Sequence, residues 1–316
     1  MYKLYTRTLL TVILLTGVIT AAGQQKKRLP WIEKGKENAL YINNGKIQIG
    51  VDPERGGAIF HFSEVKGKTN ILNHADEGRF VQQSYYGNND GSTWWDQPWC
   101  WNPIQGGGSK GRKARILEKR QSPSQIYIAT EPVLWASNEP AAECTMEEDI
   151  RLEGNIAHIS YTFRNTGNNA RDHEERHQEV PAVFIDWDYP QFVYYSGKQP
   201  WSNDTLSRFV PKLLANAAAG QSANLSESWA AYVNSQDYGI GVYSPKAGFC
   251  TLYRFGTGPG GPTSSSCSYF APLVSMAIKK DMVYKYDVYM TIGTVKEIRS
   301  RFYKIHKQLS RQLGKN

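Results

Sequence analysis

The densest cluster of titratable side chains lies in residues 171–188, with the sequence RDHEERHQEVPAVFIDWD. In an extended strand, side chains two residues apart share a face, so His177, Glu179 and Val183 are predicted to point the same way. A carboxylate beside an imidazole orients the ring and supports its protonated form, which is the composition of a general acid–base site. Glu179 and Asp186 are therefore the candidate acid and base, and His177 is a second candidate proton carrier.

Two other interpretations of this cluster are open. A helix would place His173 and His177 four residues apart, as paired metal ligands are. Pro181 and the β-branched residues after it favour a strand instead, so no metal site and no other cofactor is predicted. A buried structural ion pair would also explain the cluster. Trp187 stands beside Asp186, and we count Trp187 and His173 among the candidate substrate contacts.

A tryptophan-rich segment, STWWDQPWCWNP, spans residues 92–103. An aromatic plane can cover the C–H face of a sugar ring while nearby carboxylates and amides bind its hydroxyl groups. Two prolines within six residues predict a loop rather than a core strand. We expect some of the indoles to cap the core and at least one to be exposed. The candidate substrate contacts here are Trp95, Asp96, Trp99, Trp101 and Asn102.

The segment before it, DEGRFVQQSYYGNN at residues 76–89, is polar on both faces when read as a strand. Such a strand favours a lined groove, with a plain edge strand as the alternative. Arg79 could clamp a carboxylate or a pair of hydroxyls, and Gln83 shares its face. Tyr85 or Tyr86 could donate a hydrogen bond or a proton, and Tyr85 is the candidate catalytic residue of the two.

The elements that must position these residues are mostly strands. Short runs such as KIQIGV, SQIYIAT and MVYKYDVYMTIG alternate polar and apolar residues between Gly, Pro, Asn and Asp turns. Helical periodicity occurs only at the end of the chain, at about residues 294–313. The sequence thus predicts an all-β fold, a large antiparallel β-sandwich formed as a single domain over residues 24–316 and ending in an amphipathic helix.

The N-terminus has the layout of a secretory signal peptide, residues 1–23, which predicts a secreted or periplasmic protein. No later segment approaches the roughly 18 apolar residues of a membrane span, so no membrane insertion is expected. The formal charge of +8 comes from the signal peptide and the C-terminal helix, and residues 24–292 are neutral overall. The net charge therefore gives no reason to expect a nucleic-acid partner.

The cysteines and the glycine motifs point to no redox or nucleotide chemistry. Cys100, Cys144, Cys250 and Cys267 are expected to be bridged or buried, in any of three connectivities, and the pair Cys250 and Cys267 is the easiest to imagine. GTGPGG at residues 256–261 fits a dinucleotide motif only by letter, because no helix follows it.

At NGKIQIGVDPERGGAIFHFSEVKGKTNIL, residues 44–72, the chain resembles the opening of the galactose-mutarotase-like superfamily. WAAYVNSQDYGIGVYSP and DVYMTIG resemble later strands of the same sandwich. The resemblance implies a β-supersandwich whose concave face binds sugars, as in aldose epimerases and in domains of many glycoside hydrolases and polysaccharide lyases. The N-x-T-x-H-x-Y-F-N segment of aldose epimerases has no match here, so their catalytic residues are not transferred.

The leading functional hypothesis is a secreted carbohydrate-active enzyme, a glycoside hydrolase that cleaves a poly- or oligosaccharide. The first alternative is a polysaccharide lyase, in which Tyr85 or His177 removes a proton beside a uronate carboxylate that Arg79 neutralises. The second is a sugar-binding protein without catalysis. The sequence leaves the sugar, the linkage and the oligomeric state open.

Overall fold

The computed structural model describes residues 36–76, 78–214 and 220–313, and the predicted signal peptide lies outside these ranges. A single turn of 3₁₀ helix at Pro53–Arg55 follows the second strand. In chain order the described strands and the helix are β1 (Leu40–Asn43), β2 (Ile47–Val51), β3 (Ile59–Glu64), β4 (Gln82–Ser84), β5 (Asn89–Trp94), β6 (Gln97–Cys100), β7 (Pro103–Ile104), β8 (Arg115–Ser122), β9 (Gln125–Glu131), β10 (Val133–Leu134), β11 (Cys144–Glu153), β12 (Ile156–Asn165), β13 (His173–Asp186), β14 (Gln191–Tyr194), β15 (Ser207–Phe209), β16 (Gln221–Asn224), β17 (Trp229–Val233), β18 (Tyr238–Tyr243), β19 (Phe249–Phe255), β20 (Cys267–Ile278), β21 (Met282–Thr294) and α1 (Val295–Leu313).

Two large antiparallel sheets face each other. One has nine strands in the order β15-β14-β17-β18-β21-β12-β11-β9-β8, and the other has seven in the order β10-β7-β4-β13-β20-β19-β16. A three-stranded sheet, β1-β2-β3, and the hairpin β5-β6 complete the set. This arrangement confirms the predicted large antiparallel β-sandwich with a C-terminal helix.

The main hydrophobic core fills the space between the two large sheets. Ile159 on β12 and Val288 on β21 reach it from the nine-stranded sheet, and Val183 on β13 and Phe270 on β20 reach it from the seven-stranded sheet. All four side chains are completely buried. Because side chains alternate along a strand, the intervening residues of β13 and β20 face away from this core, on the outer surface of the seven-stranded sheet.

The C-terminal helix covers the outer face of the nine-stranded sheet. Val295, Ile298, Phe302 and Ile305 form its apolar stripe and pack beside Trp229 of β17. This helix and its docking confirm the helix predicted from the periodicity of the sequence. Among the described residues, no helix combines the length and the apolar character needed to cross a membrane.

The helix begins with a reciprocal cap. The backbone N–H of Thr294 donates to the Glu297 carboxylate at 2.9 Å, and the Glu297 N–H donates to the Thr294 hydroxyl at 3.4 Å. Such a capping box satisfies backbone donors that have no partner inside a helix. The junction of β21 and α1 is therefore fixed by local sequence as well as by packing.

The four cysteines are free thiols. The suggested pairing of Cys250 with Cys267 is wrong, since Cys250 is aligned with Pro272 of β20 while Cys267 is aligned with Phe255. The two residues also lie on opposite faces of the sheet, because Cys250 belongs to the main core and Cys267 to the outer apolar cluster. The predicted alternative, a buried thiol, holds for Cys144, Cys250 and Cys267.

Candidate functional site

A groove lies on the outer face of the seven-stranded sheet and consists of two adjoining pockets. Tyr86, Glu179 and Thr251 line both pockets and therefore mark their junction. The first, of about 260 Å³, we call the tryptophan pocket; its lining includes Arg79, Ser84, Trp94, Trp95, Trp99, Asn102, Trp135, Phe184, Tyr253 and Tyr269. The second, of about 480 Å³, we call the arginine pocket; its lining adds Cys100, Glu175, Arg176, His177, Leu273 and Ser275.

Alternate residues of neighbouring strands form the floor of the groove. On β13, Ala182 and Phe184 line the outer surface, while Val183 and Ile185 point into the main core. On β20, Tyr269 stands beside Phe184 with ring centroids 4.6 Å apart. The floor is therefore apolar and rigid, and it supports the polar groups above it from below.

Glu179 stands at the centre of this floor and is only 9% exposed. The Tyr86 hydroxyl donates to its Oε1 at 2.9 Å, and the Tyr269 hydroxyl donates a short hydrogen bond to the same oxygen. Burial raises the pKa of Glu179, and the hydrogen bonds from Tyr269, Ser84 and Tyr86 only partly offset this increase. No lysine or arginine forms an ion pair with Glu179 among the described residues. The site thus holds a carboxyl group that keeps its proton to higher pH than an ordinary glutamate.

The two phenols beside Glu179 are held in fixed positions. The Tyr86 N–H donates to the Gln178 side-chain oxygen at 2.6 Å, and the Gln178 amide donates back to the Tyr86 carbonyl at 3.0 Å. Tyr269 stacks on Tyr253 with ring centroids 4.3 Å apart. Burial, followed by the proximity of Glu179, raises the pKa of both Tyr86 and Tyr269 well above its ordinary value. Both phenols are hydrogen-bond donors at neutral pH.

The strand that carries Glu179 is irregular just after it. The register between β13 and β20 shifts between Glu179 and Val183. His177 and Glu179 share the groove side, as predicted, but Val183 lies in the main core. The prediction that Val183 shares their face is therefore wrong, because the extra residue in the strand reverses the alternation.

The tryptophan wall is a β-hairpin rather than the loop that its prolines predicted. β5 and β6 pair antiparallel, with Trp94 opposite Gln97. The turn places Trp95 and Asp96 at φ values of 49° and 58°, a strained left-handed geometry that usually needs glycine or asparagine. Trp94 stacks on Trp95 at 5.6 Å and meets Trp135 edge-on at 5.2 Å.

The indoles of this segment divide as expected between the surface and the interior. Trp95, at the hairpin tip, is 40% exposed, whereas Trp101 is 2% exposed. Trp99 lines the tryptophan pocket and donates from Nε1 to the Asn102 side-chain oxygen at 3.2 Å. Asp96 is exposed at the hairpin tip and does not line either pocket.

Trp101 and His173 do not reach the groove, contrary to their prediction as substrate contacts. The Trp101 ring stacks on His173 at 4.1 Å, and its Nε1 donates to Glu143 at 2.6 Å. His173 is buried, and burial lowers its pKa to about 4. Trp101 packs in the interior in a cluster with Tyr85 and Phe163, and His173, which is 2% exposed, is buried beside it.

On β4 the alternation was predicted correctly, but the wrong face was assigned to the groove. Gln82, Ser84 and Tyr86 line the tryptophan pocket. Gln83 and Tyr85 point into the interior, where Tyr85 stacks on Phe163 at 3.9 Å and donates to Gln83. Tyr85 therefore cannot act as the proton carrier of this groove, and Tyr86 occupies that position.

Arg79 lies just before β4 and lines the tryptophan pocket. It forms an ion pair with Asp76, and its guanidinium lies 4.3 Å from the centre of the Phe255 ring. These contacts hold the side chain in place. They also occupy much of its charge, so Arg79 is less available for a substrate carboxylate than the sequence predicted.

Asp186 does not lie beside Glu179, although the two were predicted as an acid and base pair. Asp186 lines a separate pocket with His74, Asp188 and Tyr189. Asp186 lies seven residues beyond Glu179, which is up to about 23 Å along the strand at 3.3 Å per residue. Its carboxylate accepts the N–H groups of Asp188 at 2.9 Å and Gly261 at 2.7 Å.

Trp187 follows Asp186 and also lies outside the groove. The guanidinium of Arg254 stands 3.5 Å from the centre of the Trp187 ring and donates to the Trp187 carbonyl at 2.7 Å. The indole thus packs on an arginine and is no substrate contact of this groove. His177, in contrast, lies in the arginine pocket, where its Nδ1 is 2.9 Å from the Ser275 hydroxyl.

Several groove residues were not predicted from the sequence, namely Ser84, Trp135, Glu175, Arg176, Tyr253 and Tyr269. Tyr269 belongs to a nearly continuous apolar run in β20, CSYFAPLVSMAI, which has no periodicity that separates its two faces. Among the described residues, no group of three or more His, Cys, Asp or Glu side chains is placed to hold a metal ion.

The described chain has the galactose-mutarotase-like fold. It superposes on a galactose mutarotase related enzyme from Lactobacillus acidophilus with a TM-score of 0.51 and 9% identity, over 80% of this chain and 97% of that chain. A galactose mutarotase-like protein from Lactobacillus casei superposes with a TM-score of 0.47 and 10% identity, over 80% of this chain and 99% of that chain. The 4-alpha-glucanotransferase from Thermococcus litoralis superposes with a TM-score of 0.46 and 11% identity, over 80% of this chain and 37% of that chain.

No protein-family profile matches the sequence, and no curated protein matches it. The sequence identities to these structures are near those of unrelated proteins. The structural likeness therefore confirms the predicted fold, but it does not indicate the role of any residue. The function must therefore be argued from the groove itself.

Proposed function

We propose that this protein is a carbohydrate-active enzyme that cleaves glycosidic bonds of an oligo- or polysaccharide bound along the groove. The observation that carries the proposal is Glu179, a buried carboxyl group with a raised pKa at the junction of the two pockets. The solved structure of the same fold from Lactobacillus acidophilus is described as a galactose mutarotase related enzyme, which is consistent with a sugar substrate.

The tryptophan pocket has the chemistry that a sugar ring requires. Trp94, Trp95 and Trp99 offer aromatic planes for the C–H faces of the ring, and the half-buried Thr251 offers a hydroxyl for its hydroxyl groups. Because Trp95 is on the exposed hairpin tip, the wall extends beyond the space that one ring fills. This extent supports a chain of sugars rather than a single ring as substrate.

Glu179 is placed to donate a proton to a glycosidic oxygen. A carboxyl group serves as a general acid near neutral pH only if its pKa is raised, as burial does here. The hydroxyls of Tyr86 and Tyr269 hold Oε1, so the orientation of the carboxyl group is fixed. After proton transfer, the same two hydrogen bonds stabilise the carboxylate.

Hydrolysis by the usual pair of carboxylates needs a second acid in the groove. Glu175 is the other carboxylate among the described residues that line the two pockets. It precedes Glu179 by four residues on β13, or about 13 Å along the strand, so the two side chains must lean together to reach the roughly 6.5–9.5 Å of inverting enzymes. Asp186 is too distant for this role.

Elimination is the second candidate reaction, because one acid with adjacent phenols suffices for it. In such a lyase, Glu179 in its ionised form accepts the proton beside a uronate carboxylate, and the Tyr86 hydroxyl donates its proton to the leaving oxygen. The hydrogen bond between Tyr86 and Glu179 then returns the proton from the carboxyl group to the phenol. A lyase product is unsaturated and absorbs in the ultraviolet, whereas hydrolysis releases reducing ends without that absorbance.

The test is a screen of the mature protein on a panel of polysaccharides with both readouts, followed by Glu179→Gln on the best substrate. We expect the variant to lose about a thousandfold in kcat, within the range measured for general acids. Glu174→Gln is the matched control, because Glu174 is an exposed glutamate of the same strand that does not line the groove.

A turnover of Glu179→Gln within a few-fold of the parent would sink the catalytic proposal. Saccharide-dependent changes in tryptophan fluorescence without any product would instead identify a binding protein.

We also propose export to the periplasm or the medium on the basis of residues 1–23, which fractionation of expressing cells tests directly.

A further inference from the structure

The groove does not end at Glu179. Beyond the junction formed by Tyr86, Glu179 and Thr251, the arginine pocket continues along β13 and β20 to Arg176, His177 and Ser275. Its volume, about 480 Å³, exceeds that of the tryptophan pocket. A substrate that places a glycosidic bond at Glu179 must therefore put one sugar in each pocket.

The two pockets differ in what they offer a sugar. The tryptophan pocket is walled by indoles, whereas the arginine pocket contains none and is lined by Arg176, His177, Glu175 and Ser275. Stacking on an aromatic face dominates on one side of Glu179, and charge and hydrogen bonding dominate on the other.

Arg176 is the cation that makes this difference specific. Its side chain is exposed, and it forms no ion pair and no hydrogen bond within the described ranges. The neighbouring Glu175 does not pair with it, and Arg79, on the far side of Glu179, is already paired with Asp76. The five N–H groups of Arg176 are thus available in the groove, in the planar arrangement that matches a carboxylate or a sulfate.

We propose that the arginine pocket is a second sugar subsite that binds an anionic group, the carboxylate of a uronate or the sulfate of a sulfated sugar, through Arg176. The substrate is then a charged saccharide that spans Glu179, with a ring against the tryptophans on one side and its anionic residue at Arg176 on the other. The inference rests on the proposed function, because it assigns the substrate class of the same groove.

The experiment measures binding to the Glu179→Gln protein, so that turnover does not consume the ligand. Oligosaccharides of equal length form three arms: uncharged, uronate-containing and sulfated. Each is titrated by calorimetry against the Glu179→Gln protein alone and combined with Arg176→Met, Arg176→Lys or Arg171→Met. Arg171 is the matched control, because it is an exposed arginine just before β13 and outside both pockets.

We expect the protein with Glu179→Gln alone to bind either the uronate-containing or the sulfated oligosaccharide at least tenfold more tightly than the uncharged one. Arg176→Met should abolish this preference, Arg176→Lys should restore part of it because the charge remains without the planar pair of donors, and Arg171→Met should leave it unchanged. A preference for the uronate arm identifies a carboxylate ligand, and a preference for the sulfated arm a sulfate ligand. The preference should also shrink as salt is raised.

Equal affinity for the charged and uncharged arms would overturn the inference and leave the proposed function standing. Equal weakening of all arms by Arg176→Met would overturn it as well, since Arg176 would then have a structural role. Absence of binding in every arm would overturn the inference together with the proposed function. Thermal unfolding of each variant confirms that it is folded before titration.

Discussion

Two buried glutamates of this protein have opposite surroundings. Glu227 lies beneath α1, where Arg299 donates to both carboxylate oxygens at 2.6 and 3.1 Å. Trp229 Nε1 and the Trp201 N–H also donate to it, each at 2.7 Å. Glu179 lies in the groove, where two phenols donate to one oxygen and no cation is paired with it.

The difference separates a structural carboxylate from one available for chemistry. The Glu227 carboxylate is paired with the Arg299 guanidinium. Its four hydrogen-bond donors come from three elements that pack together, namely α1, β17 and the loop after β14. In the groove, the carboxyl group is left uncompensated and partly open to ligand. Buried charge is costly without a partner, so proteins retain such a group mainly where its protonation serves a function.

The largest expected effect is on stability, at the structural carboxylate Glu227. Glu227→Gln should cost about 3–5 kcal/mol of unfolding free energy, because the Arg299 charge is left buried without its partner. Glu179→Gln should change stability far less, since no charge depends on Glu179. Urea unfolding of both variants measures the difference, and the double variant Glu227→Met, Arg299→Met should recover part of the loss. A stable Glu227→Gln protein would contradict the structural role.

The tryptophans allow the same comparison with apolar groups. Trp101→Ala should cost about 3 kcal/mol of stability, because it leaves a cavity beside His173. Trp95→Ala should leave stability nearly unchanged and weaken saccharide binding about tenfold, because the exposed indole contributes to the groove wall. Unfolding curves and titrations of both variants are the measurements. A large loss of stability in Trp95→Ala and none in Trp101→Ala would show that Trp95, rather than Trp101, is part of the core.

Glu148 sharpens the comparison, because it is buried with neither a cation nor a ligand-accessible side. Neither of its oxygens meets the geometry of a hydrogen bond, although Gln105 is near enough to lower its pKa slightly. Burial raises the pKa of Glu148 from 4.5 to about 8. The folded state therefore holds a proton that the unfolded state releases above pH 4.5, so the contribution of Glu148 to stability falls as pH rises from 4.5 towards 8.

This reasoning gives a numerical expectation for Glu148. Between pH 5 and pH 7 the wild-type protein should lose about 2.5 kcal/mol more stability than Glu148→Gln, in which the position cannot ionise. Urea unfolding at several pH values measures the difference. Parallel pH profiles for the two proteins would show that Glu148 does not retain its proton in the folded state.

The smallest expected effect concerns the hairpin tip. Asp96 has a φ of 58°, which glycine adopts without strain, so Asp96→Gly should stabilise the protein by at most about 0.5 kcal/mol: relief of roughly 1 kcal/mol of strain is partly offset by the greater freedom that glycine gives the unfolded chain. Gln97→Gly is a control in the same hairpin, because Gln97 is exposed and is not among the residues with positive φ. Thermal unfolding checks both. A loss of stability at Asp96 would indicate that its side chain supports the turn.

How far the sequence could predict the site is clearest on β4 and β13. The alternation of RFVQQSYY identified a strand at the groove, yet Tyr85 was chosen where Tyr86 lines the pocket. Neither face of this segment is apolar, so nothing local says which one is turned inward. On β13, the strand and the outward pair His177 and Glu179 were predictable, but the register shift that reverses Val183 was not.

The sequence by itself determined the strands, the C-terminal helix and the tryptophan-rich segment, because these follow from local periodicity and composition. Only the tertiary structure decided which residues meet in the groove. Tyr269 reaches Glu179 through the pairing of β13 with β20, across 90 positions of the chain, and Asp186 is separated from Glu179 although it lies only a few residues away on the same strand. A side chain's neighbours depend on sheet order and register, and those are fixed by long-range packing that no local pattern encodes.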